Sequence, residues 1–210
     1  MNKIFLILAF CFLISLTGKG QTINSVFINM PNNIVYGLTT DMKESLLENP
    51  KDTTKFVGTA IYEKIRRKVL NDNFISLQTS DVGLTEIKLL PLINGSKIVC
   101  LVQSVCGTIC DSRISFYTEK WEPIESAGLF PDRAIEWFVK EDVDKTSEKY
   151  DHAISSLTML PMKYTLSPNE NSISIEFDPK GFLPIESYNA IEPFLTKSPK
   201  VLEWDKSKFK

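Results

Sequence analysis

TEIKLLPLINGSKIVCLVQSVCGTICDSRISFYTEKWEP, residues 85–123, decides the fold. Asn94-Gly95 is a strong two-residue hairpin signal. Pairing across it predicts Leu92 opposite Lys97, Leu90 opposite Val99 and Leu89 opposite Cys100. A second turn lies within the CGTIC stretch. Centred on Thr108, it pairs Cys106 with Cys110, Ser104 with Ser112, Val102 with Ile114 and Cys100 with Phe116. The two registers together put Ile87, Leu89, Cys100, Val102, Ile114 and Phe116 on one face of a three-strand meander. A one-residue slip scatters that set over both faces. The opposite face is mixed: Lys88, Gln103 and Arg113 sit beside Leu90, Val99, Leu101 and Tyr117. It is expected to be partly covered, with Gln103, Arg113 and Tyr117 as a possible binding face. Asn94-Gly95-Ser96 is also a glycosylation sequon, although hairpin chemistry explains those residues without it.

Moving toward the N-terminus, residues 55–71 place Val57, Ile61, Ile65 and Val69 at i, i+4 spacing, which predicts an amphipathic helix. Its basic run, Lys64, Arg66, Arg67 and Lys68, reads as a solvated face rather than an anion site, because no aromatic residue is interleaved. Asp41 and Glu44 resemble a capping box opening a short helix that stops at Asn49, before Pro50. A helical turn after Pro31 carries Ile34, Val35 and Leu38. Residues 22–30 are expected to be an extended lead-in.

Toward the C-terminus, Phe130-Pro131-Asp132 is expected to begin a helix with Ile135, Phe138 and Val139 on one side. Residues 140–152 read as a charged, solvated helix end or connector. Leu160, Met162, Tyr164 and Leu166 alternate, and so do Ile173, Ile175 and Phe177. A four-residue loop, Pro168–Asn171, puts both sets on one face. Pro184 and Pro193 bracket a helix over 185–192. Val201, Leu202 and Trp204 suggest a last edge strand. The pattern is α+β: an antiparallel sheet, its meander centred on residues 86–118, with helices packed mainly on one face.

The first twenty residues, MNKIFLILAFCFLISLTGKG, combine Lys3 with an apolar run too short to span a bilayer, which needs about 20 residues. Gly18 and Gly20 stand at −3 and −1 of a cut before Gln21. This is the pattern of a secretory signal peptide, 1–20, followed by one α+β domain, 21–210, with a possible subdivision near 126–155. Cys11 lies inside the apolar run and no cysteine sits at the cut, so a lipoprotein signal is not expected. Processing leaves 210 − 20 = 190 residues and removes Lys3 and Lys19, leaving 22 basic against 26 acidic residues. The product is expected to be exported, periplasmic or secreted, with no membrane span.

Composition narrows function by exclusion. The chain is 43% hydrophobic and 24% charged with net charge −2, the balance of a folded protein without the basic excess of a nucleic-acid binder. A single histidine excludes histidine-rich metal sites. Three cysteines remain after cleavage. Cys100 and Cys106 share a strand about 20 Å apart, beyond disulfide reach. Cys106 and Cys110 meet across the hairpin tip, where a disulfide contributes about 2 kcal/mol. A redox role is the sharper alternative. It is disfavoured because three residues intervene and β-patterned sequence flanks the pair, whereas a thioredoxin-type site has two intervening residues at a helix N-terminus. His152 lies in polar sequence with nothing aiming it at a cysteine. Asp111 and Arg113 flank the tip as a salt-bridge or capping pair. Glu141, Asp142 and Asp144 lack the glycine and terminal glutamate of a calcium loop. There is no G-x-S-x-G, P-loop or G-x-G-x-x-G, and no cofactor, metal site or catalytic residue is indicated.

Val26–Pro31, Lys88–Leu92 and above all Ile98-Val99-Cys100 through Cys106-Gly107 to Cys110–Ile114, then Phe116–Thr118 and Trp121, resemble an exported family of Bacteroidales proteins catalogued only as a domain of unknown function. The resemblance implies a cell-envelope or secreted protein and no assigned activity. The expected function is a non-enzymatic binding or accessory protein of the envelope, its partner a protein or glycan. The alternative is an enzyme, either a thiol oxidoreductase at CGTIC or a carboxylate-dependent hydrolase.

Overall fold

A computed structural model describes residues 21–59 and 64–210. The expected signal peptide lies outside the described residues. Seven strands run in chain order, each antiparallel to the next: β1 (Phe56–Val57), β2 (Ile65–Asn71), β3 (Phe74–Gln78), β4 (Gly83–Pro91), β5 (Lys97–Cys106), β6 (Cys110–Thr118) and β7 (Pro123–Ile124). The class is α+β, and residues 86–118 form the centre of the sheet.

The β5–β6 register is the predicted one: Cys106 faces Cys110, Ser104 faces Ser112, Val102 faces Ile114 and Cys100 faces Phe116. The β4–β5 register is displaced by one residue, with Leu90 opposite Ile98, Leu89 opposite Val99 and Lys88 opposite Cys100. Turn chemistry is the reason. Asn94-Gly95 does not form a two-residue loop. The Leu92 N–H donates to the Ser96 carbonyl at 2.8 Å, and Gly95, at φ +84°, is the left-handed last residue of a three-residue loop. Ile87 and Leu89 therefore join Val99 and Leu101, on the face opposite Cys100, Val102 and Phe116.

Both faces are consequently apolar and both are covered. Helices α1 (Ile23–Ile28) and α2 (Thr40–Leu47) bury Val26, Phe27 and Leu46 against Ile75, Ile87, Leu89, Val99 and Leu101. The other face carries a three-stranded sheet, ordered β10 (Lys200–Glu203), β9 (Ser172–Glu176), β8 (Lys163–Leu166), together with α3 (Glu148–Ser155) and α4 (Ile185–Ile191). Tyr164, Ile173 and Ile175 pack there with Cys100, Val102 and Phe116. The four-residue β8–β9 loop and the edge position of β10 match the sequence reading.

Two segments differ from expectation. Within residues 22–30, Ile23–Ile28 is helical, not extended. The Thr22 side chain caps α1, and Ile23, Val26, Phe27 and Met30, at i, i+3, i+4 and i+7, are all buried. Among the described residues of 55–71, the predicted helix is β1 and β2. A four-residue repeat is also a multiple of the strand period of two, so it satisfied both templates. Ile65 and Arg67 point inward, and a bulge between Arg67 and Val69 then turns Val69 out. Arg67, expected on a solvated basic face, is instead buried. It donates to the carbonyls of Leu46, Glu48, Asn49 and Asp52, closing the C-terminal end of α2. Smaller differences concern boundaries. Thr39 rather than Asp41 caps α2, the 130–139 segment supplies a single 3₁₀ turn at Ile135–Phe138, and α3 occupies the end of the charged stretch.

β8 is an edge of its sheet, yet its outer side is not left to solvent. The Met162, Tyr164 and Leu166 N–H groups donate to Asp111 Oδ1 (3.1 Å), Ser112 Oγ (2.9 Å) and Glu86 Oε2 (3.0 Å). Lys88 Nζ donates to the Ser167 carbonyl at 2.7 Å, and Asn71 Nδ2 to the Pro168 carbonyl at 2.9 Å. These partners lie on β6, β4 and β2, so β8 crosses the larger sheet from strand to strand and side chains serve as its missing neighbour. At one end of the same interface Phe209 packs among Phe116, Phe130 and Trp204, with centroids 5.2 to 6.4 Å away. Phe209→Ala is expected to cost about 3–5 kcal/mol in urea unfolding. A loss below about 1 kcal/mol would show that this aromatic cluster does not hold the two sheets together.

Candidate functional site

At the outer end of β5 and β6 a groove of about 660 Å³ opens beside the sheet. It exists because β7 is short: β6 pairs with it only at Phe116 and Tyr117. The Asp111–Ser115 edge has no strand neighbour on that side among the described residues. Gln103 and Arg113 face each other across the β5–β6 ladder and both line the groove. Gln103 Nε2 donates to the Ile34 carbonyl at 3.0 Å. Arg113 is exposed, and its guanidinium has no hydrogen bond or ion pair with the described residues. Tyr117 shares their face but not their groove. It packs into the core beneath the N-terminal helices, 5.3 Å from Trp121, whose indole N–H reaches the Val26 carbonyl at 2.8 Å.

The opposite wall comes from the segment after β7, with Phe130, Pro131, Asp132 and Arg133. Arg133 is the structural hinge-pin of this wall. Its guanidinium donates to Asp111 Oδ1 at 2.6 Å, the Leu160 carbonyl at 2.9 Å, the Tyr164 hydroxyl at 3.0 Å and the Ser112 carbonyl. Four of its five donors are therefore committed, while those of Arg113 meet no acceptor among the described residues. Sequence reasoning passed over Arg133. The available signal was that it is the one basic residue between Ala127 and Val139. Asp111, read as a cap or ion-pair partner near the tip, meets Val105 across the ladder and ties Arg133 to Met162, the residue before β8.

The two tip cysteines are joined: Cys106 and Cys110 have an S–S distance of 2.06 Å and Cα atoms 4.0 Å apart. Both lie on strands, so their own elements supply no helix N-terminus to lower a thiol pKa. The tip is docked, because a Cβ added to Gly181 would collide with Ile109 and stand 3.0 Å from the Thr108 carbonyl. Cys100 is a free, fully buried thiol whose pKa burial raises. His152 is exposed in the last turn of α3. Asp144 Oδ1 accepts from Thr146 in a local turn, and no metal-ligating group of three occurs among the described residues.

The buried charges each complete a piece of backbone. Lys43 closes the end of α1, donating to the Met30 carbonyl and to Asn32 Oδ1. Arg67 does the same for α2. Burial lowers the pKa of Lys43, Arg67 and Lys88. Glu86 is pushed up to about 7, chiefly by burial, which the Leu166 N–H and Lys163 oppose.

The chain belongs to the family described as "Protein of unknown function (DUF3256)", whose profile matches residues 15–209. It is also similar to a solved structure, that of a domain of an uncharacterized protein from Porphyromonas gingivalis W83, with a TM-score of 0.77 and 28% identity. That likeness covers 88% of this chain and 96% of the other. No curated protein matches. The resemblance to a family of unknown function is thus borne out.

Because the folded state raises the Glu86 pKa from an ordinary 4.5 to about 7, it holds this proton more tightly than the unfolded chain. The group's contribution is intact below about pH 4.5 and is lost as pH rises toward 7, about 3 kcal/mol in all. Glu86→Gln keeps an acceptor for the Leu166 N–H and cannot ionise. Urea unfolding at about pH 4 and pH 8 is expected to show near-equal stabilities at the lower pH and a more stable variant at the higher. Parallel pH profiles would contradict this.

Proposed function

We propose that this member of the DUF3256 family is an exported, non-enzymatic binding or accessory protein of the cell envelope, and that it engages a protein partner at the outer end of β5 and β6. The observation that carries this reading is the contrast between two arginines in one groove. Arg133 makes four hydrogen bonds in holding the wall, whereas Arg113 is exposed and makes none with the described residues. Exposed Val105 (61%) pairs across the ladder with Asp111, two residues from Arg113. Exposed Tyr36 (63%) lies two residues beyond the Ile34 carbonyl that Gln103 holds. Arginine and tyrosine are the side chains enriched at interface hot spots, and exposed Val105 adds apolar surface to the groove. The unpaired edge adds backbone groups to the same surface.

Export rests on the N-terminal pattern and is supported by the Cys106–Cys110 bond, since structural disulfides persist in oxidising compartments. Among the described residues no helix is long and apolar enough to cross a membrane.

A photo-crosslinking residue at position 105 in the protein isolated from its native cells is expected to capture a discrete partner. The adduct should disappear with Arg113→Glu, and the same probe at Ile93, exposed at the far hairpin, should give none. Equal labelling at both positions would contradict the proposed surface. The N-terminus of the isolated protein is expected at Gln21, and an intact Met1 would contradict export by cleavage.

A further inference from the structure

A second concavity lies in the C-terminal layer, remote in sequence from the β5–β6 groove. It is a cleft of about 360 Å³ between the end of β9, α4 and the 192–199 segment. This size is within the range of small-ligand sites, about 300–1,000 Å³. Its floor is apolar. Phe177 lines it, held by Phe138 at 5.6 Å and Phe182 at 6.2 Å between ring centroids, with Leu195 and Pro199 beside it. Ring contacts on two sides fix that surface before any ligand arrives.

The rim selects the class of ligand. Glu176, Asp178 and Glu192 suggest a cation site, but two of the three are already held in ion pairs, and the third leaves the rim with a net negative charge. Glu176 pairs with Lys163 at 3.2 Å, Glu192 pairs with Lys197 at 3.4 Å, and an Asp178 oxygen accepts from the Lys180 N–H at 3.0 Å. The lining thus offers carboxylate acceptors together with donors, the Lys197 ammonium and the Tyr188 hydroxyl among them. A hydroxyl both donates and accepts, so a polyhydroxylated ligand satisfies such a rim where a simple cation or anion satisfies half of it. One apolar face and an edge of hydroxyls describe a pyranose ring. We infer that this cleft binds a neutral sugar residue of a glycan, the ring stacked on the Phe177 floor and its hydroxyls bonded to Glu192 and Tyr188.

The test uses the protein from Gln21 onward on an array of neutral and uronate-containing oligosaccharides, followed by calorimetric titration of the strongest neutral disaccharide. Neutral glycans are expected to bind and uronates to fail against the carboxylate rim. Glu192→Gln is expected to weaken binding about tenfold, the loss of a hydrogen bond to a charged group, and Tyr188→Phe to weaken it less, both with unchanged melting temperature. Arg113→Glu, in the other groove, is expected to leave sugar binding intact, so failure here and failure of the partner surface are read separately. A silent array, affinity unchanged in both cleft variants, or binding of phenethylamine in preference to every sugar would overturn the inference.

Discussion

The outer edge of β8 sets the constraint on which the rest of the structure depends. A strand at the end of a sheet carries backbone donors and acceptors that must find partners once buried, at a cost of about 1–3 kcal/mol for each one left unmade. Among the described residues no further strand supplies them. The Met162, Tyr164 and Leu166 N–H groups end on Asp111, Ser112 and Glu86, side chains standing on the face of the larger sheet. That requirement explains why β4, β5 and β6, otherwise packed with aliphatic residues, carry Glu86, Lys88, Ser104 and Ser112 at buried positions. It also gives Glu86 reason to keep a proton: a neutral carboxyl still accepts from Leu166 and avoids an ionised group in the core.

The same solution recurs elsewhere. Arg67 and Lys43 close the ends of two short helices on the opposite face, so the sheet is buried on both sides by elements too small to satisfy their own termini. Arg133 fastens the segment after β7 to β6 and β8 together. Much of the charged chemistry in this chain is therefore spent on backbone. The contrast makes Arg113, unengaged among the described residues, and the polar rim of the C-terminal cleft conspicuous as surfaces for something outside the chain.

How far the sequence foretold this depends on the range of each interaction. The β5–β6 register, the joined cysteines and the β8–β9 loop were legible because each is set by neighbours within a hairpin. The first hairpin slipped by one residue because Asn-Gly serves loops of two and of three residues alike, and Leu92 and Ser96 choose between them only in three dimensions. Residues 55–71 misled because a four-residue spacing fits helix and strand, and because Arg67 occupies an inward position that only the end of α2, about 20 residues earlier, makes tolerable. Residues 23–30 carried a true helical period that was read as extended. Within the candidate site, Gln103 and Arg113 fell together because they are ladder partners. Tyr117 was on the correct face but under a helix that had not been foreseen, and Arg133 joined the site through contacts 21 to 31 residues away.

Amide hydrogen exchange along β8 tests the central claim most directly. The account predicts that Tyr164 and Leu166, with no strand beside them, exchange as slowly as Lys163 and Thr165, which face β9. Rapid exchange at Tyr164 and Leu166 alongside slow exchange at Lys163 and Thr165 would show an ordinary open edge, and the side-chain capture of β8 by the larger sheet would be wrong.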